Sequence, residues 1–167
     1  MQRPDSGLSA NPSKRLTMAM HIRSFRETDR PALIALWDAC ALTRPWNDPG
    51  KDIDLCLSSR EATLLVGTKS DQVIASVMAG SDGHRGWIYY LAVSPDLQER
   101  GHGREMMAEA ELWLTGRGVP KVQLMVRTGN AQASDFYTAL GYQSQEVTVL
   151  GKWIAPTPGR VYPVAGK

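Results

Sequence analysis

Apolar positions in the first third of the chain change from strand-like to helical spacing. Residues 20–25 (MHIRSF) form a short run typical of a strand. Thr28 or Asp29 then supplies an N-cap, and Pro31 fits the first turn of a helix. The buried face of this helix is predicted to carry Leu33, Leu36, Trp37 and Cys40. A second helix is predicted around Asp52–Ser58, with its inward positions at Ile53, Cys56 and Leu57.

The rest of the chain reads as three strands followed by alternating helices and strands. Two apolar runs at 62–68 and 73–80 flank a turn and indicate a hairpin, and 87–94 (WIYYLAVS) predicts a third strand. A helix to about Thr115, a strand at 121–126, a helix from Asn130 to Gly141 and a strand at 142–154 are predicted next. The order β-α-α-β-β-β-α-β-α-β predicts an α+β fold, with a mixed, mostly antiparallel sheet flanked by helices.

Composition narrows the function classes. The 167 residues suit one domain, and the formal net charge of +2 argues against a general nucleic-acid binder. No apolar run is long enough to span a membrane. Cys40 and Cys56 form no CxxC pair, and no metal-ligand spacing occurs, so we expect two buried thiols, no metal and a cytoplasmic location. Residues 1–19 are predicted to be a disordered leader, 20–154 the domain, and 155–167 a loose tail.

A glycine-rich basic turn, Gln98–Arg104 (QERGHGR), lies between the third strand and the next helix. A helix N-terminus offers free backbone N–H groups, glycines allow a ligand to come close, and arginines bind phosphate oxygens. The turn is therefore built like a phosphate cradle. On the turn alone, a plain strand-to-helix loop with solvated charges is an equally good interpretation. It matches neither the P-loop nor the complete GxGxxG fingerprint.

Two motifs together resemble the GNAT family of acetyl-CoA-dependent N-acetyltransferases. Within the family, residues 42–49 (LTRPWNDP) and the GHRG before YYLAV resemble the bacterial YpeA-like subgroup. The family's Q/R-x-x-G-x-G/A motif is matched by Gln98–Gly103, after the strand end LAVSP. The second motif, an Asn followed by a helix with A…FY…LGY, is matched by Asn130, Ala133, Phe136, Tyr137 and Leu140–Tyr142. The resemblance spans roughly 20–154. It implies the GNAT fold, acetyl-CoA as cosubstrate and direct transfer to an amine.

The resemblance also implies roles for individual residues. Leu91 is expected to polarise the thioester carbonyl through its main-chain N–H, and Tyr137 to act as general acid toward the departing thiolate. A packed aromatic is the alternative interpretation of Tyr137. The residues expected to bind the coenzyme are Leu91, Ala92, Val93, Gln98, Arg100, Gly101, His102, Gly103, Arg104, Asn130 and Tyr137.

The general base and the acceptor site are less defined. The strand 87–94 contains no carboxylate. The residues considered for the general base are therefore Asp82, His84, Tyr89 and Tyr90, and none is assigned. His84 lies in SDGHRG, a typical solvated hairpin turn. Residues 43–50 (TRPWNDPG) lie where GNAT folds shape the acceptor pocket, although a proline-rich connector is the alternative. The expected acceptor contacts are Arg44, Trp46, Asn47, Asp48, Tyr89 and Tyr90.

We therefore expect an N-acetyltransferase that moves the acetyl group of acetyl-CoA to a primary amine of a small molecule, amino acid or peptide in a ternary complex. An acetyltransferase for protein N-termini or lysines is the alternative within this class. A non-catalytic acyl-CoA sensor or partner subunit is the alternative from another class. Acetyl-CoA and the acceptor are the expected partners, and no binding to nucleic acids or membranes is expected. Exposed edge strands make a homodimer a candidate assembly.

Overall fold

The computed structural model describes residues 19–154, so the predicted tail and all of the predicted leader except Ala19 lie outside the described residues. This part of the chain contains five strands and four α-helices, in the order β-α-α-β-β-β-α-β-α. The strands are β1 (His21–Ser24), β2 (Ala62–Lys69), β3 (Gln72–Ser81), β4 (Gly86–Val93) and β5 (Val122–Leu124). The helices are α1 (Arg30–Ala39), α2 (Pro49–Ser58), α3 (His102–Thr115) and α4 (Ala131–Ala139).

The strands form one mixed sheet in the order β1-β2-β3-β4-β5. The first four strands pair antiparallel, and β5 pairs with β4 in parallel. A parallel neighbour requires a crossover connection, and α3 supplies it. The predicted class and the central three-strand meander are confirmed.

Both faces of the sheet are covered by helices. On one face, α1 and α2 bury Leu33, Trp37 and Ile53 against β2 and β4. On the other face, α3 buries Met106, Ala110 and Leu114 against β3 and β4. The helical spacing of these apolar positions explains why each helix presents one stripe to the sheet. Within residues 19–154, no helix is both long and apolar enough to cross a membrane.

Two predicted features differ from the structure. Leu57 was predicted to face inward but is 48% exposed, because α2 buries the stripe through Ile53 and Cys56, and Leu57 lies one residue further round the helix. The predicted strand at 142–154 forms no ladder. A ladder needs a partner of similar length, and the edge strand β5 has only three residues. Val147, Val149 and Leu150 are exposed as a result.

The entry into α1 is fixed by an ion pair. Arg23 of β1 donates two hydrogen bonds to the Asp29 carboxylate, at 2.7 and 2.9 Å, and the Arg26 main-chain N–H donates a third at 2.8 Å. The Arg23 guanidinium is the main cause that holds the pKa of Asp29 below its usual value. Asp29 is 7% exposed, so these bonds act in a partly dry site. The predicted N-cap position is therefore occupied by a carboxylate that ties α1 to β1.

We expect Asp29→Asn to lower the free energy of unfolding by about 1–3 kcal/mol at pH 7, since bonds to a charged group are lost. The pKa of Asp29 is lower in the folded than in the unfolded chain, so its ionised form stabilises the fold above about pH 4, and this contribution disappears as pH falls through the folded pKa. Urea unfolding of both proteins between pH 7 and pH 2.5 measures this difference. A difference that stays constant down to pH 2.5 would contradict it.

Candidate active site

Strands β4 and β5 separate after three residue pairs. Pairing between β4 and β5 ends at Ile88 and Leu124, whereas β4 continues to Val93 in its pairing with β3. Tyr89–Val93 therefore borders a gap on the β5 side. Main-chain groups that face such a gap have no strand partner and are open to a ligand.

Main-chain alternation decides which groups face the gap. The Ser94 N–H donates to the Ile74 carbonyl at 2.8 Å, so Ser94 lies in a hydrogen-bonded pair with β3. Alternation along an antiparallel ladder then directs Ala92 toward β3, and Val93 and Leu91 toward the gap. The Val93 carbonyl already accepts from the Gln98 side-chain amide at 3.1 Å and the Cys40 thiol at 3.2 Å. The N–H groups of Val93 and Leu91 and the Leu91 carbonyl are therefore the candidate ligand contacts, and Ala92 is not.

A β-bulge bends β4 beside Leu91. Ser76 is opposite Ala92 and Met78 is opposite Tyr89, so Val77 alone faces both Tyr90 and Leu91. Tyr90 has a left-handed φ of 51°, which is strained for a non-glycine residue.

Surrounding groups hold this bend in place. The buried Ser76 hydroxyl donates to the Tyr90 carbonyl at 2.9 Å and accepts from the Trp37 indole N–H at 2.9 Å. The Tyr90 ring stacks on Trp37, with ring centroids 3.9 Å apart. Its hydroxyl donates to the Asp52 carboxylate on α2. The core on the α1 and α2 face thus fixes the direction of the Leu91 main chain.

The glycine turn opens α3 at the end of β4. Gly101 is the N-cap residue, with a φ of 89° that a side chain would strain. Gly103 packs against Phe136, whose ring would lie 3.2 Å from an added Cβ. Arg100 and Arg104 are exposed, and neither side chain makes a hydrogen bond or ion pair with another of residues 19–154. Cations and free N–H groups at the first turn of a helix are the groups that bind anions in proteins.

His102 begins α3 with its ring largely covered. Its Nδ1 is buried without a hydrogen-bond partner among the described residues and lies 4.0 Å from the Glu105 carboxylate. The main-chain N–H of His102 belongs to the first turn of the helix, where no intrahelical acceptor exists. The contribution of His102 to the turn therefore comes from its backbone.

The second motif forms α4. The Asn130 side chain accepts from the Ala133 N–H at 3.1 Å and caps the helix, so the predicted start is confirmed. The Asn130 side-chain oxygen is therefore occupied in capping α4. Tyr137 is half-buried between the rings of Phe136 and Tyr142. Burial raises the pKa of Tyr137 to about 12, so the phenol is protonated at neutral pH.

Comparison with known proteins agrees with these features. A family model described as the acetyltransferase (GNAT) family matches residues 23–142. Acetyltransferase YE1169 of Yersinia enterocolitica is 42% identical over 133 residues, which cover 80% of this chain and 94% of that protein. Acetyltransferase ECA0875 of Pectobacterium atrosepticum is 43% identical with the same coverage.

The chain belongs to the GNAT family. It is an acyltransferase enzyme with acetyltransferase activity of the GNAT type.

Solved structures show the same GNAT fold at low sequence identity. AAC(6')-Iy, in complex with the bisubstrate analogue CoA-S-monomethyl-acetylneamine, superposes with a TM-score of 0.70 at 16% identity, covering 82% of this chain and 99% of that one. The aminoglycoside 6'-N-acetyltransferase AAC(6')-IG of Acinetobacter haemolyticus gives 0.68 at 18% identity, covering 81% and 100%. At these identities the likeness concerns the fold alone.

A second concave surface of this GNAT domain lies beside β4. It is a cleft of about 760 Å³ between α2, the strands β3 and β4, and the segment after β5. Of the residues expected to contact the acceptor, it contains Arg44, Asn47, Tyr89 and Tyr90. Trp46 and Asp48 do not line it. Asp48 instead caps α2, because its carboxylate accepts from the N–H groups of Gly50 and Lys51 at 3.0 and 3.2 Å.

Two charged cleft residues were missed by the sequence analysis. Asp52 was interpreted only as the start of a helix, but its side chain reaches Tyr90 across the cleft. Arg127 follows β5 and was not assigned a role. For Asp52, its place one residue before the buried Ile53 and four before Cys56 is the signal that indicates a helix edge facing the sheet.

The hairpin turn before β4 is structural. The Asp82 carboxylate accepts from the N–H groups of His84 and Arg85 and from the Trp87 indole, at 2.6–2.9 Å. These bonds lower the pKa of Asp82 to about 2. Neither Asp82 nor His84 lines the cleft, in agreement with the solvated-turn interpretation. Within 19–154, no group of three or more His, Cys, Asp or Glu side chains is placed to hold a metal ion.

Proposed function

We propose that this GNAT enzyme transfers the acetyl group of acetyl-CoA directly to the primary amine of a small molecule, amino acid or peptide. The observation that carries the proposal is the open stretch of β4, whose free main-chain groups lead straight to the basic glycine turn. This arrangement fits a long, narrow ligand with an amide-rich arm and a pyrophosphate. Acetyl-CoA has both.

In this proposal each part of the site has one task. The N–H groups at the start of α3, together with Arg100 and Arg104, bind the pyrophosphate. The Leu91 and Val93 main chains pair with the pantetheine arm. Gln98 acts indirectly, because its side chain holds the Val93 carbonyl. The bulge aims the Leu91 N–H at the thioester oxygen, where it stabilises the negative charge of the tetrahedral intermediate.

The chemical step joins nitrogen to carbon and releases a thiol. The neutral amine attacks the thioester carbonyl carbon, the C–S bond breaks, and the Tyr137 hydroxyl gives its proton to the departing thiolate. Water accepts the proton that the amine loses. With its pKa raised to about 12 by burial, Tyr137 is protonated throughout the neutral range.

The proposed function is tested by release of coenzyme A thiol from acetyl-CoA, with and without amine acceptors. We expect release that depends on an acceptor and an equal amount of N-acetylated product by mass spectrometry. Binding of acetyl-CoA without transfer to any acceptor would favour the non-catalytic sensor. Transfer only to folded proteins would favour the N-terminal or lysine acetyltransferase. The aminoglycoside acceptors of the solved neighbours are included in the panel.

The pyrophosphate site gives a separate prediction. We expect the double change Arg100→Gln and Arg104→Gln to raise the Kd of acetyl-CoA by about 10- to 100-fold, because charge-assisted bonds to phosphate are lost. Pantetheine, which lacks the pyrophosphate, is expected to bind the double variant and the unchanged protein equally. Isothermal titration calorimetry measures both ligands, with Arg60→Gln, an exposed arginine away from the turn, as the control. An unchanged Kd for acetyl-CoA in the double variant would place the pyrophosphate elsewhere.

A further inference from the structure

The charges of the cleft beside β4 are unusual for a site that accepts amines. Only one carboxylate lines it, that of Asp52, whereas two guanidinium groups do, those of Arg44 and Arg127. At neutral pH these side chains sum to one positive charge. A substrate that carried only positive charges would meet net repulsion here.

Four neighbouring carboxylates keep their charge but do not line the cleft, and each is held by other groups. Asp48 caps α2. Glu27 and Asp54 both bind Arg30, away from the cleft. Asp82 is held in the hairpin turn. Asp52 accepts from the Tyr90 hydroxyl through Oδ2, and its Oδ1 makes no hydrogen bond with another described side chain. One carboxylate oxygen in the cleft is therefore available to an ammonium group.

The two arginines differ in how they are held. Arg44 donates through one terminal nitrogen to the carbonyls of Ala41 and Thr43, at 2.6 and 2.7 Å, so its guanidinium is fixed at the cleft wall. Arg127 makes no ion pair or side-chain hydrogen bond within residues 19–154. It lies in the segment between β5 and α4, across the cleft from α2. An exposed cation without a partner at the edge of a substrate cleft fits a carboxylate ligand.

We infer that the acceptor is an amine that also carries a carboxylate, as an amino acid does. Asp52 and the Tyr90 hydroxyl orient the amino end, and Arg127, assisted by Arg44, binds the carboxylate. This inference rests on the proposed function, since it names the acceptor of the same reaction. It assigns specificity to Asp52 and Arg127.

The cleft walls add a second element of selection. Apolar side chains make up much of the surface between the charged groups, and these are Leu42, Leu55, Cys56, Ala62 and Met78. A polar or charged side chain on the acceptor would lose hydration against these walls without a partner. Among amino acids, those with an apolar side chain of moderate size are therefore favoured.

The test compares acceptors that differ only in the carboxylate. L-Leucine, L-leucinamide and isoamylamine share one side chain, and the last two lack the negative charge. We expect kcat/KM to fall about 10- to 100-fold from leucine to either analogue. Methionine and valine with their amides extend the series, and spermine and kanamycin serve as polycations. Equal or greater kcat/KM for the polycations than for leucine would overturn the inference while confirming the transferase.

Variants locate the carboxylate contact. Arg127→Gln is expected to raise KM for leucine about 10-fold, with little change in KM for leucinamide or in the Kd of acetyl-CoA. Arg117→Gln is the matched control, because its guanidinium lies over the Trp113 ring on α3. Arg117→Gln is expected to show the same ratio of KM values for leucine and leucinamide as the unchanged protein. Equal losses for leucine and leucinamide in Arg127→Gln would contradict the assignment.

Binding to the coenzyme complex separates the two proposals. The protein saturated with coenzyme A is titrated with leucine, leucinamide and isoamylamine, and its thermal stability is recorded. Stabilisation by leucine alone, lost in Arg127→Gln, supports the cleft as a site for an amine that carries a carboxylate. If no acetyl group is transferred as well, the proposed function fails, and leucine is a ligand of the cleft rather than an acceptor. No preference for leucine over its amide overturns the inference, whatever the activity.

Discussion

Replacing Tyr137 with Phe is expected to lower kcat by about 100-fold or more, which is the usual contribution of a positioned proton donor. The ring and its contacts with Phe136 and Tyr142 remain, so KM for acetyl-CoA and thermal stability are expected to change little. Only the proton for the thiolate is removed. Steady-state kinetics with the best acceptor of the panel measure the effect.

A matched control lies five residues along the chain. Tyr142→Phe removes a hydroxyl that donates to Glu111 at 2.7 Å and is expected to cost stability without a comparable loss of kcat. The pH profile is a further check. Because burial raises the pKa of Tyr137 to about 12, deprotonation of this group should cause no loss of kcat between pH 7 and pH 10. Full activity of Tyr137→Phe would assign the proton donor to another group.

The second large effect is expected from Trp37→Ala. Trp37 is fully buried, stacks on Tyr90 and donates to Ser76. Its removal leaves a cavity and takes one hydrogen bond from the buried Ser76 hydroxyl, so the free energy of unfolding should fall by about 3–5 kcal/mol. For a domain of this size, the midpoint of thermal unfolding should drop by roughly 10 °C. Urea and thermal unfolding measure both values.

Trp113→Ala is the control for loss of an indole. Trp113 lies on α3 and is only partly buried, so a smaller loss of about 1–2 kcal/mol is expected. Trp37→Phe keeps much of the volume and tests the hydrogen bond more directly. It should also lower kcat, because the bend at Tyr90 loses part of its support. A loss of stability for Trp37→Ala no larger than for Trp113→Ala would contradict this role of the buried stack.

Local patterns predicted much of this fold because they record burial directly. Helical spacing placed Leu33, Leu36 and Trp37 on the buried face of α1, and the turns between apolar runs located β2, β3 and β4. The glycine turn was identified because a positive φ and a helix start both leave local signals, as Gly101 confirms. These features depend on residues close together in the chain.

Features that depend on distant neighbours could not be predicted in the same way. The strand character of 142–154 is a local property, but a ladder requires a partner edge of similar length, and the edge strand β5 has only three residues. Asp52 and Arg127 are 75 positions apart, and only the packing of α2 and the end of β5 around β4 brings them to one cleft. Asp48 was predicted to contact the acceptor because a sequence pattern does not distinguish a loop carboxylate that binds a ligand from one that caps a helix.

The bulge in β4 also determines how the chain tolerates changes of length. The four residues of β4 from Tyr89 to Ala92 lie opposite the three residues of β3 from Ser76 to Met78. A variant lacking one residue at 90 or 91 would form a more regular ladder and lose the strained φ. The pairs Tyr89–Met78 and Ala92–Ser76 would both persist, so the side chains on either flank would keep their faces of the sheet, and only the main chain beside the gap would change direction. Single-residue deletions are usually tolerated in loops. We expect a deletion at 90 or 91 to be compatible with folding but to lose the direction of the Leu91 main chain toward the gap.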